Sequence, residues 1–184
     1  MLSARMIGFT NGIKKEGEIM IYIGDDPGKT GAIVALDDEG DVIGVCRKSK
    51  TTIQDRCEFL SGLDPDGSND FYAVIEKVGA TPQMGTTSAF TFGLEFGFCT
   101  TIYVSLSIRH EFFTPQKWQQ SLGLTAVKKS EGDGAKKRYL KENAQRIFPH
   151  ERIINDTADA YLIAWFARRS FMGANAINNQ KDNT

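Results

Sequence analysis

The chain reads as an α/β domain built on one mixed five-stranded sheet with helices on both faces, and three observations point there. Within residues 19–46, three short apolar runs rich in β-branched residues are separated only by tight polar turns, the pattern of an antiparallel meander. Between residues 51 and 106, segments of helical and of strand character alternate, as crossovers between parallel strands require. From residue 114 onward the pattern is helical alone. A length of 184 residues suits one domain able to bury most of its apolar surface without staples.

Each element has its own local cause. Residues 1–18 show neither period and read as a loose leader. Residues 19–24 (IMIYIG) are an apolar run closed by a Gly/Asp/Pro cluster, as expected of a buried strand. Residues 31–36 (GAIVAL) form a second strand, 37–40 (DDEG) a hairpin turn and 41–46 (DVIGVC) the returning third. Residues 51–60 set Ile53, Cys57 and Leu60 at helical spacing behind Thr51 or Thr52 as cap. A fourth strand follows at 71–76 (FYAVIE), then a helix over 88–98 whose Gly93 and Gly97 imply close packing, then a fifth strand at 100–106 (TTIYVSL). Thr114 and Pro115 open a helix through residue 121, with Pro at the first helical position. Residues 134–148 put Tyr139, Leu140, Ala144 and Ile147 on one stripe, and the last helix, from Asn155 or Asp156 to residue 171, packs through Ala160, Ile163, Ala164 and Ala167. The expected order is β-β-β-α-β-α-β followed by helices, in a domain spanning 19–172, with 173–184 a polar tail. No internal repeat is evident.

Composition excludes several classes. Hydrophobic residues make up 41% and charged residues 24%, which rules out disorder and collagen-like sequences. Three cysteines (Cys46, Cys57, Cys99) without CxxC spacing imply neither a disulfide framework nor a zinc site, so a reducing compartment is expected. No apolar run approaches the ~20 residues of a membrane span, and no signal-peptide pattern opens the chain, which places the protein in the cytoplasm. The net charge of -1 conceals an asymmetry: residues 128–152 hold eight basic side chains against four acidic ones, +4, leaving -5 for the remainder. A solvated helix face is the plain reading of such a run, unless other residues point at phosphate.

Four carboxylates stand out by position. Asp26 directly follows the first strand, Glu76 ends the fourth, and Asp156 and Asp159 open the final helix at i, i+3 spacing, on one face. If strands one and four are neighbours, Asp26 and Glu76 come together, and repulsion among four such groups calls for a cation; oxygen-only ligands favour Mg²⁺ or Mn²⁺. Singly, each has a simpler role: a helix cap for Asp156, a first-turn acid for Asp159, a strand end for Glu76, a turn for Asp26-Pro27-Gly28. The segment 24–30 (GDDPGKT) also approaches a phosphate-binding P-loop, but it has three residues between the glycines where four are needed, and a strand follows where a helix is required.

With those acids in place, the sequence resembles the RuvC-type Holliday junction resolvases. The run IYIGDDPGKTGAIVAL looks like their opening GIDPGxxGA, VIEKV like their second acidic motif and NDTADAYLIA like their closing DxxDALxIA, in the family's order. The middle, PQMGTTSAFTFGLEFG and TPQKWQQSLGL, is closest to the phage-encoded branch. The resemblance implies an RNase H-like fold, a homodimer, and nicking of two opposed strands of a four-way DNA junction, with roles in DNA recombination and repair, in the host cytoplasm if phage-encoded. It implies Asp26, Glu76, Asp156 and Asp159 as catalytic, metal-binding acids for two Mg²⁺ ions, which Mn²⁺ can replace; the register set by Pro27-Gly28 selects Asp26 over Asp25.

The family also has basic residues near the scissile phosphate. Lys137 matches one of these, while the earlier one falls on Gln119, two residues from Lys117. Lys117, Lys128, Lys129, Lys136, Lys137, Arg138 and Lys141 are accordingly expected to contact DNA, turning the +4 segment into a phosphate-gripping surface. Gly79 stands where bacterial enzymes carry an aromatic wedge, so junction opening falls to other residues, with Met84 and Phe90 the candidates. The helix containing residues 90–98 (FTFGLEFGF) offers a self-complementary interface. Neither a membrane nor a nucleotide cofactor is expected. The alternative within enzymes is a less specific nuclease of the same fold, acting on branched DNA or RNA-DNA hybrids; outside them, a non-catalytic DNA binder or an actin-like nucleotide binder.

Overall fold

Pairing of the strands decides what the local patterns could not. The computed structural model describes residues 19–77, 79, 84–124 and 133–181. Its strands are β1 (Met20–Asp25), β2 (Ala32–Leu36), β3 (Val42–Arg47), β4 (Asp70–Glu76) and β5 (Arg109–Phe113), in the sheet order β3-β2-β1-β4-β5. β1, β2 and β3 pair antiparallel, whereas β4 runs parallel to β1 and β5 parallel to β4. The helices are α1 (Ile53–Gly62), α2 (Thr86–Ser105), α3 (Pro115–Ser121), α4 (Asp133–Ile147) and α5 (Asn155–Lys181). This is the mixed five-stranded α/β architecture that the sequence predicts.

β1 is central and buries all six of its residues, so its alternate side chains serve two separate cores. Ile21 and Ile23 join Ile33, Ala73, Ile75, Leu60 and Tyr103 beneath α1 and α2. Tyr22 joins Val34, Val74, Trp118, Leu140, Ile163 and Ala164 beneath α3, α4 and α5. Helices therefore cover both faces. Thr52 is the cap of α1: its hydroxyl accepts from the Asp55 amide while the Asp55 carboxylate takes the Thr52 amide, a reciprocal capping box.

One element departs from the sequence expectation. Of residues 100–106, expected as the fifth strand, 100–105 continue α2 and Leu106 caps it, and the fifth strand is Arg109–Phe113. The β-branched TTIYV segment favours a strand by propensity, yet Cys99, Ile102 and Tyr103 are the side chains that bury, at i, i+3, i+4 spacing, and tertiary packing prevails. Ser107, at φ 56°, turns the chain out of the helix, and the Ile108 amide returns to the Tyr103 carbonyl at 2.9 Å. β5 (RHEFF) escapes a pattern reading because it is an edge strand, largely exposed and carrying charge. α5 also outruns its expected end at residue 171, reaching Lys181. Among the described residues no helix is long and apolar enough to cross a membrane.

Candidate active site

The parallel pairing of β1 with β4 sets Gly24 beside Val74 and Asp25 beside Ile75, so the chain leaves both strands side by side. Asp26 and Glu76 are the next residues. Val74 faces the α5 core, and two residues on, Glu76 points the same way. α5 lies directly on β1: a Cβ placed on Gly24 would come 2.1 Å from the Ala164 nitrogen and 2.3 Å from the Ala160 oxygen. That backbone-to-backbone approach carries the first turn of α5, with Asp156 and Asp159, to the same end of the sheet. Gly31 clears the remaining space, since a Cβ there would sit 2.7 Å from the Asp26 Cγ.

The electrostatics record this proximity. Burial pushes Glu76 up to about 7, with the charges of Asp26 and Asp159 adding to it and the Trp118 hydrogen bond and Lys136 opposing. Asp159 rises to about 6, again by burial first and Asp26 second, against Lys136 and Lys137. Asp26 is raised as well, chiefly by burial; the Gly28 amide and Lys48 lower it, while Asp25 and Asp156 raise it. Asp26 Oδ1 accepts the Gly28 amide at 3.0 Å, an Asx turn that orients the carboxylate. Asp156 is exposed and does not cap its helix: Thr157 Oγ1 takes the Ile154 amide at 3.2 Å instead. All four acids thus share one end of the sheet. Among the described residues no three His, Cys, Asp or Glu side chains close tightly enough to grip an ion as they stand. The donor set is nevertheless hard oxygen, and its mutual repulsion is what a divalent cation would relieve.

The basic residues divide. Lys136 and Lys137, exposed at the start of α4, are near enough for their charge to act on Asp159, and that of Lys136 on Glu76. Arg138 and Lys141 follow on the same helix. Lys117 is exposed with its ammonium 4.7 Å from the centre of the Phe113 ring, and Phe113 is the register partner of Glu76. Gln119 is buried at 8% exposure. Lys128 and Lys129 lie outside the described residues.

Three supporting residues escape sequence reasoning. Trp118, fully buried, donates its Nε1 to Glu76 Oε1 at 2.8 Å and fixes that carboxylate. Lys48 is buried, ion-paired with Asp25, and donates to the Asp26 carbonyl oxygen at 2.7 Å. Tyr103 donates to the other Asp25 oxygen at 2.9 Å. A lysine within RKSK carries no signal of burial. The Asp25-Asp26 doublet did hold one, because neighbouring residues at a strand end face opposite sides.

A single mixed sheet of this order, covered by helices on both faces and with acids gathered at the carboxyl ends of its central parallel strands, is an RNase H-like α/β fold. Among solved structures it is similar to Thermus thermophilus RuvC in complex with Holliday junction substrate, with a TM-score of 0.55 and 16% identity over 84% of this chain and 97% of that one. It is equally similar to a second Thermus thermophilus RuvC structure, with a TM-score of 0.54 and 18% identity over the same shares. The fold is RuvC-like. No protein-family model matches the chain, and no curated protein matches it in sequence.

Proposed function

We propose that the protein is a structure-specific endonuclease that resolves four-way DNA junctions by metal-dependent phosphodiester hydrolysis, nicking two opposed strands symmetrically. The observation that carries this reading is the meeting of Asp26, Glu76, Asp156 and Asp159 at one end of a RuvC-like sheet. A solved neighbour of that fold is RuvC in complex with its Holliday junction substrate. The phage-like middle of the sequence favours the phage-encoded branch, acting in the host cytoplasm during recombination and repair.

Asp26, Glu76, Asp156 and Asp159 would hold the metal. Two Mg²⁺ ions there, or Mn²⁺ in their place, supply an activated water and stabilisation of the leaving oxygen. Trp118 keeps the Glu76 carboxylate aimed, and Lys48 anchors the Asp26 backbone. Lys136 and Lys137 add positive charge beside an acidic pocket that would otherwise repel phosphate. Lys117, Lys128, Lys129, Arg138 and Lys141 extend that grip.

Paired nicks require two sites. α2 carries Phe90, Leu94, Gly97, Thr101 and Val104 on one outward face, with Phe90 72%, Leu94 45% and Val104 63% exposed. Apolar and small residues at that spacing suit a homodimer seam.

The decisive assay uses a labelled four-way junction with and without Mg²⁺. The unsubstituted protein is expected to make symmetric nicks only with the metal. Asp26→Asn is expected to lower cutting by about 10³-fold or more while junction binding persists. Normal cutting by that variant removes the assignment. Equal cutting of flaps or RNA-DNA hybrids, without symmetry, transfers it to a less specific nuclease.

A further inference from the structure

A cleft of about 610 Å³ opens beside the start of α5, where Thr157 and Tyr161 line it and Asp159, two residues from each, lies across the helix from them. Arg47 at the end of β3, Lys50 in the 3-10 turn that follows and Arg152 ahead of α5 line it, together with Glu151, Thr157 and Tyr161. The origin of the cleft is topological. β3 is an edge strand of the sheet, paired with β2 alone.

Its chemistry is that of an anion receptor. Three cations face one acid, and the Glu151 carboxylate is engaged with the Tyr161 hydroxyl at 3.0 Å. None of the Arg47, Lys50 and Arg152 side chains has a hydrogen bond or ion pair among the described residues, and the buried Arg47 Nε has no acceptor. Guanidinium groups match phosphate oxygens in planar, two-pronged fashion, and a lysine adds a mobile point charge. Lys50 and Arg152 are exposed, so the cleft is open to an extended ligand.

We infer that this cleft binds the phosphodiester backbone of the duplex arm adjoining the cut, a second phosphate track separated from the acids by the start of α5. The inference rests on the nuclease reading, which supplies the DNA. A nucleic acid strand crossing that helix start would touch the acids on one side and the three cations on the other. The two tracks together set the angle at which an arm leaves the active site.

The experiment measures binding of a synthetic four-way junction to the full chain carrying Asp26→Asn, across a salt series. Each phosphate contact contributes about 0.9 to the slope of log affinity against log salt. Adding Lys50→Ala with Arg152→Ala is expected to reduce that slope by about 1.8 and to weaken binding at least about tenfold at moderate salt. Arg169→Ala, on an exposed arginine twelve residues beyond Thr157 in α5, controls for loss of a surface cation outside the cleft and is expected to leave the slope within error. An unchanged slope and affinity in the double variant overturns the inference and leaves the nuclease reading standing, as does an equal loss from Arg169→Ala. Failure of the parent to bind any junction overturns both.

Discussion

Two adjacent aspartates show how position, rather than residue type, assigns a role. Asp25, the last residue of β1, turns into the α1/α2 core, where Lys48 and Tyr103 satisfy it; Asp26 turns towards α5 and the other acids. Removing either member of the Asp25–Lys48 pair would strand a charge in an apolar layer, so the pair serves the architecture under the site. Glu76 bears the opposite burden, being buried among like charges. Its folded-state pKa of about 7 lies above the ordinary 4.5, so the folded chain holds that proton more tightly than the unfolded chain. Stability from this group is therefore fully retained below about pH 4.5, falls as pH rises and is lower by about 3 kcal/mol above pH 7. Glu76→Gln keeps an oxygen for Trp118 but loses the charge. In metal-free buffer it is expected to unfold at a higher urea concentration than the parent at pH 8, and at the same concentration near pH 4. Coincident urea curves at pH 8 would show that burial and repulsion do not act on this carboxylate.

At the scale of elements, the contact between β1 and α5 aligns the site. Gly24 permits the helix backbone to touch the strand, and Asp26 and Asp159 are registered through it. Gly24→Ala must push α5 outward, because the atoms it meets are backbone and cannot swing aside. A destabilisation of about 1–3 kcal/mol or more is expected, with junction cutting lost even where the fold survives. Thermal unfolding and a cutting assay on the same sample check it; a fully stable, fully active variant contradicts the close approach. The same scale explains the misplaced fifth strand. TTIYVSL has strand composition, but its burial follows the helical repeat of Cys99, Ile102 and Tyr103 against the sheet. RHEFF has no repeat to read, since an edge strand owes its existence to hydrogen bonding with β4.

For the molecule as a whole, the outward apolar face of α2 carries the two most exposed large hydrophobic side chains among the described residues, Phe90 and Val104. Leu94→Glu with Val104→Glu places charge on that face without touching either core. Sedimentation equilibrium is expected to give a dimer for the parent and a monomer for the variant, which should then nick junctions on single strands rather than in opposed pairs. A parent that sediments as a monomer at micromolar concentration, yet nicks in pairs, would dismiss this seam. The balance of charge belongs to this scale too: in a chain of net -1, Lys136 and Lys137 at the start of α4 stand near enough to the acids for their charge to act on Asp159.

The amino-acid sequence alone determined the opening meander, the buried fourth strand, the final helices and the positions of Asp26, Glu76, Asp156 and Asp159. Those features follow from local periodicity and from carboxylates placed at the ends of apolar runs, which need no knowledge of distant partners. Tertiary structure alone decided which aspartate faces which core, that Lys48 and Trp118 support the acids, where the fifth strand lies and that a cationic cleft opens beside α5. Each of these depends on segments far apart in the chain meeting across the sheet, and burial at such a meeting overrides both propensity and apparent polarity.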